Sequence, residues 1–377
     1  MTADTDAPHT LLCVTGLTPQ VVTETLYALA QEGAHALPDR IEVITTTEGR
    51  RRLALTLLAE HGGHGYLDRL CADYGIDRGA LAFDVDSIHV VGGADDEPLA
   101  DIVTEADNAA AADRIHERIR TLTEQPGRLH VSLAGGRKTM GFYAGYSLSL
   151  YGRGHDRLSH VLVNPPFESH PDFFYPPPTP ATLQLPGRND IISTAEAEVR
   201  LAELPFVRLR EELGEELPHQ GLSFSEAVER AQQVLIPPQL TIDLTERTVT
   251  LQGQPITLSA THFLWLTWLA DRARQEAPAI AFDEAAVDEL TGYADWLEGR
   301  LSQLHESLAS ARKEIEREGR SNYFERTRSR LNKAIAERSG LPTRAAARYQ
   351  IHTHSSRPQT TYGLKLEPEQ IRIEGEP

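Results

Sequence analysis

Cysteine is almost missing from this chain: its 377 residues include two, Cys13 and Cys71. That excludes a disulfide framework and a thiolate zinc site. Long apolar runs are missing too, and none approaches the roughly 20 residues that span a bilayer. Residues 1–10 lack the basic start and apolar middle of a signal peptide and are expected to form a flexible tail. These absences point to a cytoplasmic protein without a membrane partner. Positive charge is scarce, with 37 Lys and Arg against 55 Asp and Glu, a formal charge of −18. Such a balance excludes a general nucleic-acid coat and leaves room only for small, locally basic sites. Metal ligands are thin as well. His61-Gly62-Gly63-His64 has no third ligand nearby and reads as a surface loop, as does Asp95-Asp96-Glu97. No metal and no cofactor are expected.

What is present is an alternation. Apolar runs at Leu11–Val14, Ile41–Thr45, Ile88–Val91, Leu129–Leu133 and His160–Val163 read as strands. Helical stretches lie between them, at Pro19–Gln31, Thr47–Glu60, Glu105–Thr123 and Lys138–Tyr151. This pattern predicts an α/β fold, a Rossmann-like parallel sheet with right-handed crossovers. Two strands end in small polar turns, Val14-Thr15-Gly16-Leu17-Thr18-Pro19-Gln20 and Ser132-Leu133-Ala134-Gly135-Gly136-Arg137-Lys138-Thr139. Turns at the carboxyl ends of parallel strands line the ligand crevice, and the helix starts behind them favour anions. Two such turns, one with Arg137-Lys138, suit a phosphate-bearing ligand. The plainer account is a tight connection with solvated charges, in which Thr18 is a helix cap. The proline-rich segment from Asn164 to Gly187 then marks a domain boundary near residue 180.

These residues carry a resemblance. Residues 11–180 resemble the CRISPR-associated Rossmann-fold (CARF) domain of type III CRISPR accessory proteins. The matching motifs are Gly16-Leu17-Thr18-Pro19-Gln20 with Glu24 one turn on, Gly135-Gly136-Arg137-Lys138-Thr139-Met140, Ile44-Thr45-Thr46-Thr47-Glu48-Gly49 and Asp107-Asn108. The resemblance implies binding of a cyclic oligoadenylate, with cyclic tetra-adenylate as the expected ring, and cleavage of that ring in the ring-nuclease branch. Gly16, Leu17, Gln20, Thr46, Thr47, Ser132, Ala134, Gly135, Gly136 and Thr139 would bind the ligand. Lys138 would stabilise the phosphorane, Thr18 would orient the ribose or phosphate, and Arg137 would assist. A two-fold symmetric ring fits a C2 homodimer offering the same patch twice.

The second half changes character. Residues 181–235 are expected to be a helical linker, with Ser223 and Glu226 at capping-box spacing. Residues 236–377 resemble the winged-helix domains of OmpR-type response regulators. Strands Leu240–Leu244 and Thr248–Leu251 precede an apolar helix from Ala260, Tyr323–Lys333 would be the recognition helix, and Tyr349–Leu366 the wing. A long insertion separates these parts, with a heptad seam running from Leu297 through Leu301, Leu304, Leu308 and Ala311 to Ile315. Arg326, Arg330 and Lys333 stand at i, i+4 and i+7 and could meet the phosphates of DNA or RNA; otherwise they are a solvated face. Two loose Arg–His pairs, Arg300 with His305 and Arg348 with His354, raise a third option, a HEPN-type ribonuclease. The expected function is a metal-independent ring nuclease that ends a type III CRISPR signal. The alternative is a regulator that senses the ring without cutting it.

Overall fold

The computed structural model describes residues 7–59, 63–93, 97–213, 217, 221–299, 320–356 and 359–375, without the side chains of 320–322, 355, 356 and 359. It divides into two compact units, Met1–Val228 and Glu229–Pro377.

In the first unit, strands β1 (His9–Val14), β2 (Arg40–Thr45), β3 (Ile88–Val90), β4 (Arg128–Ser132) and β5 (Arg157–Val163) form one sheet in the order β3-β2-β1-β4-β5. All four pairings among them are parallel. The strands read as continuous apolar runs because both faces of the sheet are covered. Leu11 and Cys13 of β1 face one core with Ile41 and Val43; Leu12 and Val14 face the other with Ile44, Leu129 and Val131. Helices α1 (Gln20–Glu32), α2 (Thr47–Thr56) and α3 (Tyr66–Tyr74) follow β1 and β2, and α4 (Glu105–Glu124) and α5 (Lys138–Tyr151) flank β4. The order reverses between β1 and β4. In such a sheet that point opens the ligand crevice.

The expected helical linker is corrected. After β5 the chain forms a small hairpin, β6 (Thr182–Gln184) with β7 (Ile191–Ser193). It then returns as β8 (Val199–Glu203), antiparallel to β5 from Ser159↔Glu203 to Val163↔Val199. Val199 and Leu201 pack on the core that holds Leu11 and Val161. Their spacing of two is a strand period and overrides the helical reading. Phe174 and Tyr175 of the proline-rich segment are buried in that same core, so the segment packs onto the sheet. A short helix α6 (Arg210–Leu213) follows, then α7 (Phe224–Leu235). Ser223 and Glu226 cap each other at its start, as their spacing requires. Helix α3 was not foreseen, and α2 stops at Thr56 rather than at residue 60.

In the second unit, β9 (Leu240–Asp243), β10 (Thr248–Leu251) and β11 (Gln254–Ile256) form an antiparallel meander. A late strand, Ile371–Glu374, joins β9 in parallel. Helix α8 (Ala260–Arg274) starts at the Ser259 cap and buries Phe263, Trp265, Leu266, Trp268 and Leu269. Strand β12 (Ile280–Ala281) follows, then α9 (Glu284–Glu298), capped by Asp283. Helix α9 thus begins more than three turns before the first residue of the heptad seam, Leu297. Of the heptad residues, Leu297 is buried in the core, and Leu301 to Ile315 lie outside the described residues. The helix Arg320–Arg338 precedes a hairpin of His352–Ser356 and Gln359–Gly363, whose second strand also pairs with β12.

Candidate functional site

The crevice at the β1/β4 reversal is built from three turns that lean on one another. Thr15, just past β1, donates its N–H to Ile44 O (3.1 Å) and its hydroxyl to Thr18 O (3.0 Å). Thr45, at the end of β2, donates its hydroxyl to Gly16 O (3.2 Å). On the other side the two glycine turns touch. A methyl group on Gly135 would stand 2.4 Å from Thr15 Oγ1 and 2.8 Å from Thr15 Cβ. Gly136 has φ +83°, a left-handed conformation natural to glycine. The glycine pair is therefore demanded by backbone approach.

The predicted site residues gather here with different fates. Lys138 is the first residue of α5 and exposed, and its ammonium has no partner among the described residues. The N–H groups of Ala134, Gly135, Gly136, Arg137, Lys138 and Thr139 likewise find no acceptor among the described residues. Six unbonded amides at a helix start, beside a cation, make an anion cradle. Leu17 and Thr18 are exposed on the facing wall. Thr18 is not a helix cap: α1 is capped by Pro19, with no side-chain bond, and Thr18 offers its carbonyl to Thr15. Gln20 donates its amide to Pro171 O (3.0 Å), while its Oε1 is buried without a donor among the described residues.

Two predicted residues, Ser132 and Thr46, are buried away from the crevice. Ser132, the last residue of β4, is buried with its hydroxyl 3.3 Å from that of Thr25 on α1, so it holds helix to strand and offers no phosphate donor. Thr46 is buried as the cap of α2, accepting from Gly49 N at 3.3 Å. Thr47 is exposed, yet its N–H is taken by Leu99 O (2.8 Å). Arg137 is exposed but engaged, because both its Nε (3.2 Å) and a terminal nitrogen donate to Asp101. Those hydrogen bonds hold the Asp101 carboxyl below its ordinary range.

Sequence reasoning missed Asp101, which carries no local motif, and Arg52, which donates to Leu17 O (3.3 Å) and pairs with Glu48 (3.0 Å). Hydrogen bonds from Arg51 and Arg52 lower the half-buried Glu48 to about 2. Glu24, one turn into α1, is 4% exposed, and burial pushes its carboxyl up to about 8. Asp107 is a capping residue, accepting from Thr104 N (2.9 Å), and Asn108 donates to Tyr143 Oη (2.6 Å). Among the described residues no group of three or more His, Cys, Asp or Glu could hold a metal ion.

In the second unit, the helix Arg320–Arg338 buries Tyr323, Phe324, Leu331 and Ile335. Arg326, Arg330 and Lys333 do not form one uniform free face. Arg330 and Lys333 are exposed, Lys333 lies 3.7 Å from Glu337, and Arg326 is half-buried and partnered. Arg348 donates to Ile236 O (2.7 Å) and to Val234 O, so it anchors chain instead of serving a site. Arg300 and His305 lie outside the described residues. Among those residues, no helix is long and apolar enough to cross a membrane.

Fold and crevice together define an α/β protein with an anion-suited site at the switch point of a Rossmann-like sheet. Residues 18–237, more than half of the chain, match the family model of CRISPR-associated protein NE0113, and the chain belongs to this family. No curated protein matches it.

Proposed function

We propose that this CRISPR-associated protein binds a cyclic oligoadenylate, cyclic tetra-adenylate first, in the switch-point crevice and opens the ring. The observation that carries this reading is the run of six unbonded amides at residues 134–139 beside the unpartnered Lys138. A ring of phosphodiesters supplies the anions such a cradle lacks. The ring also brings its own nucleophile, a ribose 2′-OH next to the scissile phosphorus. Its oxygen bonds to phosphorus, the bond from phosphorus to the 5′-oxygen breaks, and that oxygen takes up the proton. The products are a 2′,3′-cyclic phosphate and a 5′-hydroxyl. The protein's part is to hold the hydroxyl in line and to stabilise the phosphorane. Lys138 and the amides of Gly135 and Gly136 do the latter, while Thr18 and Leu17 bound the ring from the other wall. Arg137 joins only by leaving Asp101. A two-fold ring is met by two copies of the chain, each giving one such cradle.

The test is incubation of the protein with cyclic tri-, tetra- and hexa-adenylate in EDTA. Linear product with a 2′,3′-cyclic phosphate is expected, and a 2′-deoxy ring should bind but stay closed. Turnover that EDTA abolishes and magnesium restores would refute the mechanism.

A second reading has its own support. Helix α8, strand β12, helix α9, the helix Arg320–Arg338 and a hairpin pairing back to β12 follow in winged-helix order. Exposed Arg330 and Lys333 then suit a phosphate backbone. On this reading the protein is a transcription regulator controlled by the ring. Binding of duplex DNA that changes with the ring, without linear product, would favour it over the nuclease.

A further inference from the structure

The opposite end of the same sheet holds a second concave feature. A cavity of about 60 Å³ opens at the amino ends of β1, β4 and β5, lined by His9, His35, Arg128, His130, His155 and Arg157. A single water needs about 10–15 Å³, so there is room for a group the size of one phosphate. No carboxylate is among the lining residues. The carboxylates nearby are already committed. Asp39 accepts from His9 N (2.7 Å), Glu32 and Glu203 lie 3.2 and 3.6 Å from Arg157, and Asp156 accepts from Leu129 N (2.9 Å). Asp156 also lies 3.7 Å from His155, whose Nε2 is 3.0 Å from Gly127 O.

Two polar atoms on this wall are left over. Arg128 donates one terminal nitrogen to His35 O (3.3 Å), but its Nε is buried with no acceptor among the described residues. His130 is completely buried; its Nε2 lies 2.6 Å from Ser159 Oγ, and its Nδ1 is buried without a partner among the described residues. Burial, with the charges of Arg157 and His9, pulls the His130 imidazole down to about 3, so the ring is neutral. When Ser159 donates to Nε2, the single ring proton sits on Nδ1. In that tautomer Arg128 Nε and His130 Nδ1 are two buried donors in a wall whose lining holds no carboxylate, with Arg157 beside them paired to Glu32 and Glu203, and an acceptor that carries negative charge satisfies both.

We propose that this cavity is a binding site for one small tetrahedral oxyanion, inorganic phosphate, held by Arg128 Nε and His130 Nδ1. It ties together the roots of the strands whose far ends carry the crevice turns. The test is calorimetric titration of the full chain with phosphate at constant ionic strength in chloride. Saturable binding is expected. Arg128→Gln should weaken it at least tenfold, and Arg128→Lys, which keeps charge but loses Nε, should weaken it less. Lys138→Ala should leave this binding intact, which separates it from the crevice. Absence of saturable binding, or loss in Lys138→Ala with retention in Arg128→Gln, would overturn the proposal. Adenosine monophosphate supplies a second arm, because the cavity has no room for a nucleoside. Equal, Arg128-dependent affinity for the monophosphate would overturn the free-ion assignment.

Discussion

The two glycine-bearing turns at the β1/β4 reversal look alike in sequence and differ in state. After β1, the turn is tied into the fold through Thr15 and its carbonyls: Thr15 bonds Ile44 and Thr18, and Gly16 O accepts from Thr45, while the N–H groups of Gly16, Leu17 and Thr18 find no acceptor among the described residues. After β4, six consecutive amides bond nothing among the described residues. One turn is a brace, and under the proposed function the other is the receptor. The brace fixes the shape of the crevice, so that the receptor's amides are held in place before any ligand arrives. Such preorganisation spares the ordering cost of binding.

The largest expected effect lies behind the brace. Helix α1 leaves it with Glu24 sealed in at a carboxyl value near 8, against an ordinary 4.5. Below pH 4.5 the group is neutral in folded and unfolded chains alike. Between 4.5 and 8 the unfolded chain ionises while the folded one keeps its proton, so stability falls as pH rises and levels off above 8. The fall should be on the order of 4 kcal/mol, and Glu24→Gln should abolish it in denaturation measured from pH 4 to pH 9. Identical pH profiles for the two proteins would show that Glu24 is not sealed.

Next comes the contact between the turns. Gly135→Val puts carbon where Thr15 Oγ1 and Cβ already stand. It should push brace and receptor apart and weaken ring binding about 100-fold, about 2.7 kcal/mol. Wild-type affinity in a folded variant would mean that the brace is unnecessary. Lys138→Ala removes a charge-assisted contact from the receptor alone and should cost about tenfold in binding or turnover, about 1.4 kcal/mol. Unchanged values for both would remove Lys138 from the site. The smallest effect should be a gain. Asp101→Asn loosens the carboxylate's hold on Arg137 and should tighten ring binding about threefold, about 0.7 kcal/mol; weaker binding would show that the pair itself positions the turn.

Much of the first unit was legible because buried parallel strands leave a strong mark. The expected strands at Leu11–Val14, Ile41–Thr45 and Leu129–Leu133 each fall within a residue or two of β1, β2 and β4. Both glycine turns could be read as well, since strand–turn–helix punctuation is local. What escaped was non-local. Val199–Glu203 is short, half-exposed and preceded by prolines, and only pairing with β5 makes it a strand. The partner of Arg137 lies 36 residues earlier, in a stretch with no motif. Ser132 and Thr46 have the right chemistry for a ligand but point into packing, a matter of one residue's register at a strand end or helix cap.

The returning strand β8 has a consequence for how the chain can be cut. It covers the hydrogen-bonding edge of β5, and the 35 residues between them are the excursion that brings it back. A gene ended near codon 180 would yield a protein whose β5 edge is bare. Such an edge recruits a stranger's strand, so that protein should aggregate or pair edge to edge. The shortest segment that seals the sheet must reach Glu203, and a stop at Val228 also keeps Phe224, whose N–H bonds Asp113 on α4 (2.7 Å).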